Sequence, residues 1–150
     1  MRKASTVEPI EILLVEDDPG DARLTEEALR ETSIASRLSH VWDGAHALEY
    51  LRRLNSYADA SRPDLVILDL NLPRKDGKEV LRDIKSDEGL KSIPVVVFST
   101  STAEKDIRGA YLLHANCYVT KPVQLKDYMA AVQTLVSFWS SEVKLPPRSG

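Results

Sequence analysis

Four apolar runs punctuate the chain, and each ends in polar groups. Val66-Ile67-Leu68 leads to Asp69-Leu70-Asn71, and Ile12-Leu13-Leu14-Val15 leads to Glu16-Asp17-Asp18. Val95-Val96-Val97-Phe98 leads to Ser99-Thr100-Ser101, and Tyr118-Val119-Thr120 leads to Lys121-Pro122. Short continuous runs of mostly branched residues predict strands covered on both faces, as in a parallel sheet. Leu38-Ser39-His40-Val41 alternates instead, which predicts a half-exposed edge strand. Helical spacing fills the intervals. A helix from about Pro19 turns Leu24, Ala28 and Leu29 inward and leaves Glu26, Glu27 and Arg30 to water. Asp43 is placed to cap a helix from Ala45 to Leu54, buried through Ala47, Leu48 and Leu51. A third helix buries Val80, Leu81 and Ile84 and stops at Asp87-Glu88-Gly89. Ser101 and Glu104 have the spacing of a capping box for a fourth, carrying Ile107, Ala110 and Tyr111. Leu125, Tyr128, Met129, Val132, Leu135, Val136 and Trp139 give the clearest helical stripe. Five alternations of strand and helix predict a doubly wound α/β domain over residues 10–143. The polar residues 1–9 predict a flexible N-terminal arm, and the proline-containing residues 144–150 a C-terminal tail.

At 150 residues, 43 % of them hydrophobic, the chain is long enough for one domain with a sizeable core. Its net charge of −3, with no block of Lys or Arg, excludes nucleic-acid binding through bulk electrostatics. No apolar run approaches the roughly 20 residues that span a bilayer, and Met1-Arg2-Lys3 leads into polar sequence rather than a secretory core. The single cysteine, Cys117, can form no internal disulfide; a cytoplasmic location is expected.

Groups at the carboxyl ends of neighbouring parallel strands converge on one crevice. Glu16, Asp17 and Asp69 are therefore expected together, where their like charges raise their pKa values unless a cation intervenes. Hard oxygen ligands with open positions suit Mg²⁺, and the backbone carbonyl of Asn71 is a further candidate ligand. His40, His46 and His114 are too scattered, and Cys117 too isolated, for zinc. A carboxylate beside Mg²⁺ and the Lys121 ammonium is equipped to accept a phosphoryl group, with Asp69 as nucleophile and Ser99 as donor to a phosphoryl oxygen. Helix capping and solvated loop charge explain Glu16-Asp17-Asp18 equally well in isolation. They do not explain why Asp69, Ser99 and Lys121 also stand at strand ends.

Taken as an ordered set, these residues resemble the receiver domain of two-component response regulators. The set comprises the acid pair Glu16-Asp17, then Asp69 with Asn71, Pro73 and Asp76-Gly77, then Ser99 and Lys121-Pro122. The intervals of 30 residues from Asp69 to Ser99 and 22 from Ser99 to Lys121 fit without a gap, and the likeness covers about residues 10 to 139. Asp18-Pro19-Gly20-Asp21, His114-Ala115-Asn116-Cys117-Tyr118 and the ending from Phe138-Trp139 to Leu145-Pro146-Pro147 are similar to the small stand-alone regulators of cyanobacterial and bacterial phytochromes. The resemblance implies a flavodoxin-like sheet of order 2-1-3-4-5 with five helices. It implies Asp69 as phosphoacceptor from a phosphohistidine on a sensor histidine kinase, here a phytochrome. Mg²⁺ would be held by Asp17, Asp69 and the Asn71 carbonyl, with Glu16 acting through a water. Lys121 would pair with Asp69 and then with the phosphate. Ser99 and Tyr118 would form the switch, acting on the face of the fourth helix, fifth strand and fifth helix. The chain departs from the commoner pattern in Glu16, where Asp is usual, and in Ser99, where Thr is usual. Asn71 and Ser101 supply no carboxylate at positions that tune hydrolysis.

Two other readings compete. An aspartate-nucleophile phosphatase carries a second Asp two residues after the nucleophile as general acid; Asn71 occupies that place here. A pseudo-receiver that works without phosphorylation would not need the complete set of acids, hydroxyl and lysine. The chain ends after the receiver, so output is expected through an unknown downstream protein. Phe138 and Trp139 lean in opposite directions on the last helix, and one of them is expected to serve a homodimer contact.

Overall fold

Five strands pair in parallel in the order β2-β1-β3-β4-β5 in the computed structural model, which describes residues 8–148. They are β1 (Ile10–Val15), β2 (Ser36–Val41), β3 (Leu65–Leu68), β4 (Val95–Ser99) and β5 (Cys117–Thr120). The helices between and after them are α1 (Pro19–Arg30), α2 (Gly44–Arg52), α3 (Gly77–Ser86), α4 (Glu104–Leu112) and α5 (Leu125–Ser137). The sheet order and the five helices are those expected. Residues 1–7 of the N-terminal arm, and Ser149 and Gly150, lie outside the described residues.

The pleat sorts the core into two layers. Leu13 and Val15 of β1, Val66 and Leu68 of β3, and Val95 and Val97 of β4 face α2 and α3. Ile12, Leu14, Leu65, Ile67, Val96 and Phe98 face α1 and α5. Both faces of the three inner strands are covered, which is why they read as unbroken apolar runs. The chain leaves β1 toward β2 on one side and returns to β3 on the other. The crevice at the carboxyl ends of β1 and β3 is therefore the switch point of the sheet.

Local chemistry sets the helix ends. Asp18 caps α1 by accepting from the backbone of Gly20 (2.8 Å) and Asp21 (3.2 Å), with Pro19 at the first helical position. Asp76 and Glu79 form a reciprocal capping box on α3. The capping box expected from Ser101 and Glu104 is absent, because α4 starts after Ala103 with no side-chain cap. The Ser101 hydroxyl donates instead to the Asp106 carboxylate at 2.6 Å, a stronger acceptor already paired with Lys78. Four helical positions also differ from expectation. Thr25 is buried where Leu24 is only half-buried, and Tyr111 and Leu125 are exposed. Helix α2 ends at Arg52, before Leu54, where Arg53 turns left-handed at φ 55°.

Beyond α5 a π-turn, Phe138–Glu142, carries the chain back toward the amino ends of the strands. There Leu145 packs against the core, and Arg148 donates to Asp64 (2.9 Å), Glu8 (2.6 Å) and the Pro9 carbonyl (2.9 Å). Residues 144–148 are thereby tied to the sheet.

Asp43 caps α2 as expected, accepting from His46 N at 2.8 Å. Burial alone would raise its carboxyl, but the His46 backbone and ring and the Arg74 guanidinium outweigh that and hold it below its ordinary value. Asp43→Ala should cost about 1 kcal/mol, or about 3 °C in thermal unfolding. An acid with a depressed folded pKa stabilises above its unfolded value and loses that contribution as pH falls through the folded one. The difference from Asp43→Asn should therefore shrink as pH drops below about 3.9, read by urea unfolding across pH.

Candidate functional site

Backbone bonds carry the ladder one residue beyond three strand ends and so place the site. Glu16 N donates to the Val41 carbonyl (3.1 Å), Asp69 N to Val15 (3.1 Å) and Lys121 N to Ser99 (2.7 Å). Glu16, Asp69 and Lys121 are thus anchored as firmly as strand residues while their side chains enter the crevice. Each is almost closed off, with 2 %, 8 % and 5 % of its surface exposed. Asp17 stands at the open rim. Carboxylate oxygens of Glu16, Asp17 and Asp69 lie within 4.8 Å of one another, the convergence expected from the sequence.

The Lys121 ammonium donates to Glu16 Oε1 at 2.7 Å, Asp21 Oδ2 at 2.8 Å and Asp69 Oδ2 at 3.1 Å. An ammonium has three protons, and all three are taken. Burial works against its charge, but the bonds to Asp21 and Glu16 and the charge on Asp69 outweigh it and hold Lys121 above the ordinary lysine range. Burial pushes Glu16 up to about 7 against the pull of Lys121, and the neighbouring Asp69 charge acts in the same direction as burial. One lysine does not neutralise four acids. Clustered, metal-hard oxygens with surplus negative charge fit a divalent cation held by Asp17 and Asp69, with Glu16 behind them.

Asn71 lies at the exposed rim, its N–H directed at Asp69 Oδ1 at 3.4 Å. Ser99 is fully buried at the end of β4, its Oγ accepting from Ser101 N at 3.3 Å. Tyr118 is half-buried, and its hydroxyl donates to the Ser101 carbonyl at 2.9 Å. The structure therefore brings Glu16, Asp17, Asp69 and Lys121 into one cluster, with Ser99 and Tyr118 linked through the loop that follows β4. Helix α3 approaches from below: Gly77 N donates to the Leu70 carbonyl at 2.8 Å, and a Cβ on Gly77 would collide with the carbonyl oxygen of Asp69. Asp76-Gly77 thus forms the floor under Asp69.

Sequence reasoning missed Asp21. Acids in the first turn of a helix are routinely accounted for by the helix dipole, which hides the fact that this turn faces the crevice. It also missed Lys78 and Asp106, which join α3 to α4 at 3.0 Å beside Ser101. Only the spatial proximity of α3 and α4 reveals them.

The response regulator receiver domain model matches residues 12–133. The chain belongs to the response regulator receiver family. This response regulator is 48 % identical over 138 residues to response regulator Rcp1 of Synechocystis, covering 92 % of this chain and 94 % of that one. The crystal structure of the phosphorylated cyanobacterial phytochrome response regulator RcpA superposes with a TM-score of 0.89 at 50 % identity, over 93 % of this chain and 99 % of RcpA. The Mn²⁺-bound form of Rcp1 gives 0.88 at 47 % identity, over 93 % and 100 %. The family and sheet order implied by the sequence resemblance are those found. Among the described residues no helix of the response regulator is long and apolar enough to cross a membrane.

Proposed function

We propose that this response regulator is a phosphoacceptor switch, in which Asp69 takes a phosphoryl group from a phosphohistidine on a sensor kinase of the phytochrome kind. The observation that carries the reading is the buried Lys121 ammonium 3.1 Å from Asp69, beside the Glu16 and Asp17 carboxylates. A carboxylate oxygen of Asp69 attacks phosphorus and the phosphorus–nitrogen bond breaks. The ring nitrogen keeps the electron pair and takes a proton from solvent, and Asp69 becomes an acyl phosphate. Asp17, Asp69 and the Asn71 carbonyl would hold Mg²⁺, with Glu16 acting through a water, and the ion would supply positive charge to the phosphoryl oxygens; the Mn²⁺-bound form of Rcp1 supports a divalent cation here. Lys121 exchanges its bond to Asp69 for one to the phosphoryl group. Ser99 turns its hydroxyl toward the same group, and Tyr118 leaves the Ser101 carbonyl for the space behind it. The chemistry is confined to the protein's own transfer and hydrolysis, so it is a switch rather than an enzyme acting on other substrates. Asn71, standing where a phosphatase would keep a general acid, favours this reading.

A panel of phosphorylated histidine kinases tests it. A phytochrome kinase should label the protein faster than unrelated kinases do; equal rates would remove the phytochrome partner.

The output face is that of α4, β5 and α5, paired with a second copy of the chain. Phe138 is 51 % exposed there, beside an apolar groove of about 500 Å³ lined by Val119, Ala131, Leu135 and Trp139. Beryllofluoride with Mg²⁺ should shift sedimentation toward a dimer. A monomer at tens of micromolar, with and without the mimic, would contradict it.

A further inference from the structure

We infer that Asp21 is a positioning residue for phosphoryl transfer, the fixed anchor on which the Lys121 ammonium pivots. The inference rests on the phosphoacceptor reading and deepens it. Lys121 has three carboxylate partners, and two of them have competing duties. Asp69 is the acceptor, and Glu16 belongs with Asp17 and Asp69 to the oxygen cluster that fits a cation. Asp21 is outside that cluster, so its 2.8 Å bond to Nζ has no second claimant. When Asp69 is phosphorylated and Glu16 is drawn toward a cation, Asp21 remains to direct the ammonium at the phosphoryl oxygens.

The anchor is itself held from both sides. Its backbone N–H is bound by the Asp18 cap at 3.2 Å. Its carbonyl accepts from Thr25 Oγ at 2.9 Å and from the Tyr128 hydroxyl at 3.3 Å. Tyr128 is buried on α5, its ring 5.2 Å from that of Phe98. The carboxylate of Asp21 thus extends from the first turn of α1, which Tyr128 fastens to α5. None of these backbone bonds depends on its side chain, so Asp21→Ala leaves the turn intact while withdrawing the lysine's partner.

The test is a double-mutant cycle on the rate of phosphoryl acceptance from acetyl phosphate at saturating Mg²⁺. Asp21→Ala should slow the reaction about tenfold, the order expected for loss of a charge-assisted hydrogen bond at a partly exposed position. Asp21→Asn, which keeps an acceptor oxygen, should recover part of that loss. In a Lys121→Met background Asp21→Ala should have no further effect, because a positioning residue acts through the group it positions. A second readout needs no lysine variant: the ammonium of Lys121 should give a ¹⁵N–¹H resonance protected from exchange, weakened by Asp21→Ala and retained by Asp21→Asn. A penalty that persists in the Lys121→Met background, or an ammonium resonance indifferent to Asp21→Ala, would overturn the assignment and leave the phosphoacceptor reading standing. A parent protein that takes up no phosphoryl group would overturn both.

Discussion

Lys121→Met is expected to cost the Mg²⁺-free protein about 3–5 kcal/mol, the range for removing one partner of a buried ion cluster. At this chain length that is a fall of roughly 10 °C in thermal unfolding. Methionine keeps most of the stem volume, so the loss is electrostatic rather than a cavity effect. What remains is Glu16 and Asp69, both buried, with the compensating ammonium removed from 2.7 Å and 3.1 Å. Saturating Mg²⁺ should return part of the stability, since a divalent cation among Glu16, Asp17 and Asp69 offsets the same charges. Calorimetry with and without Mg²⁺ reads both effects. A fall below about 1 kcal/mol, typical of an exposed pair and unchanged by Mg²⁺, would show that Lys121 is not what neutralises the cluster.

Gly77→Ala is expected to be comparably damaging for a different reason. The added Cβ would meet the carbonyl oxygen of Asp69 and the Cα of Leu70, backbone atoms that cannot rotate aside. The start of α3 must then shift, at a cost of about 3 kcal/mol or more, and Asp69 shifts with it. The variant should lose both stability in urea and phosphoryl acceptance. Gly109→Ala is the control: its Cβ would face only the flexible end of Lys78 at 3.7 Å. In the interior of α4 it should be neutral or stabilise by about 0.5–1 kcal/mol. If Gly77→Ala proved as stable as Gly109→Ala, the floor beneath Asp69 would not be rigid.

These two sites also mark how far the sequence could be read. Strands β1, β3 and β4 were legible because burial on both faces leaves unbroken runs of Ile, Leu and Val. Their ends were legible because a charge directly after such a run needs a partner. That logic reached Glu16, Asp17, Asp69, Ser99 and Lys121, all at a strand's end or within two residues of it. It did not reach Asp21, six residues past the end of β1 and in the first turn of α1, whose acid has an ordinary explanation in the helix dipole. Nor did it distinguish Ser101 as a helix cap from Ser101 as a donor to Asp106. The sequence offers Glu104 at i+3 and Asp106 at i+5, and only the Lys78 partner on another helix decides between them. Stripe errors at Leu24, Tyr111 and Leu125 share a cause. Periodicity gives the angle of a face but not how far neighbouring elements extend over it. Leu125 opens α5 before the sheet is there to cover it.

Everything proposed for the crevice depends on Asp69 accepting a phosphoryl group with the help of its neighbours. Intact mass after incubation with acetyl phosphate and Mg²⁺ tests it most directly. The protein should gain one phosphoryl group that hydroxylamine removes, that chelation of Mg²⁺ prevents, and that Asp69→Ala abolishes. No gain under conditions that modify another receiver, or a gain that survives Asp69→Ala, would contradict it.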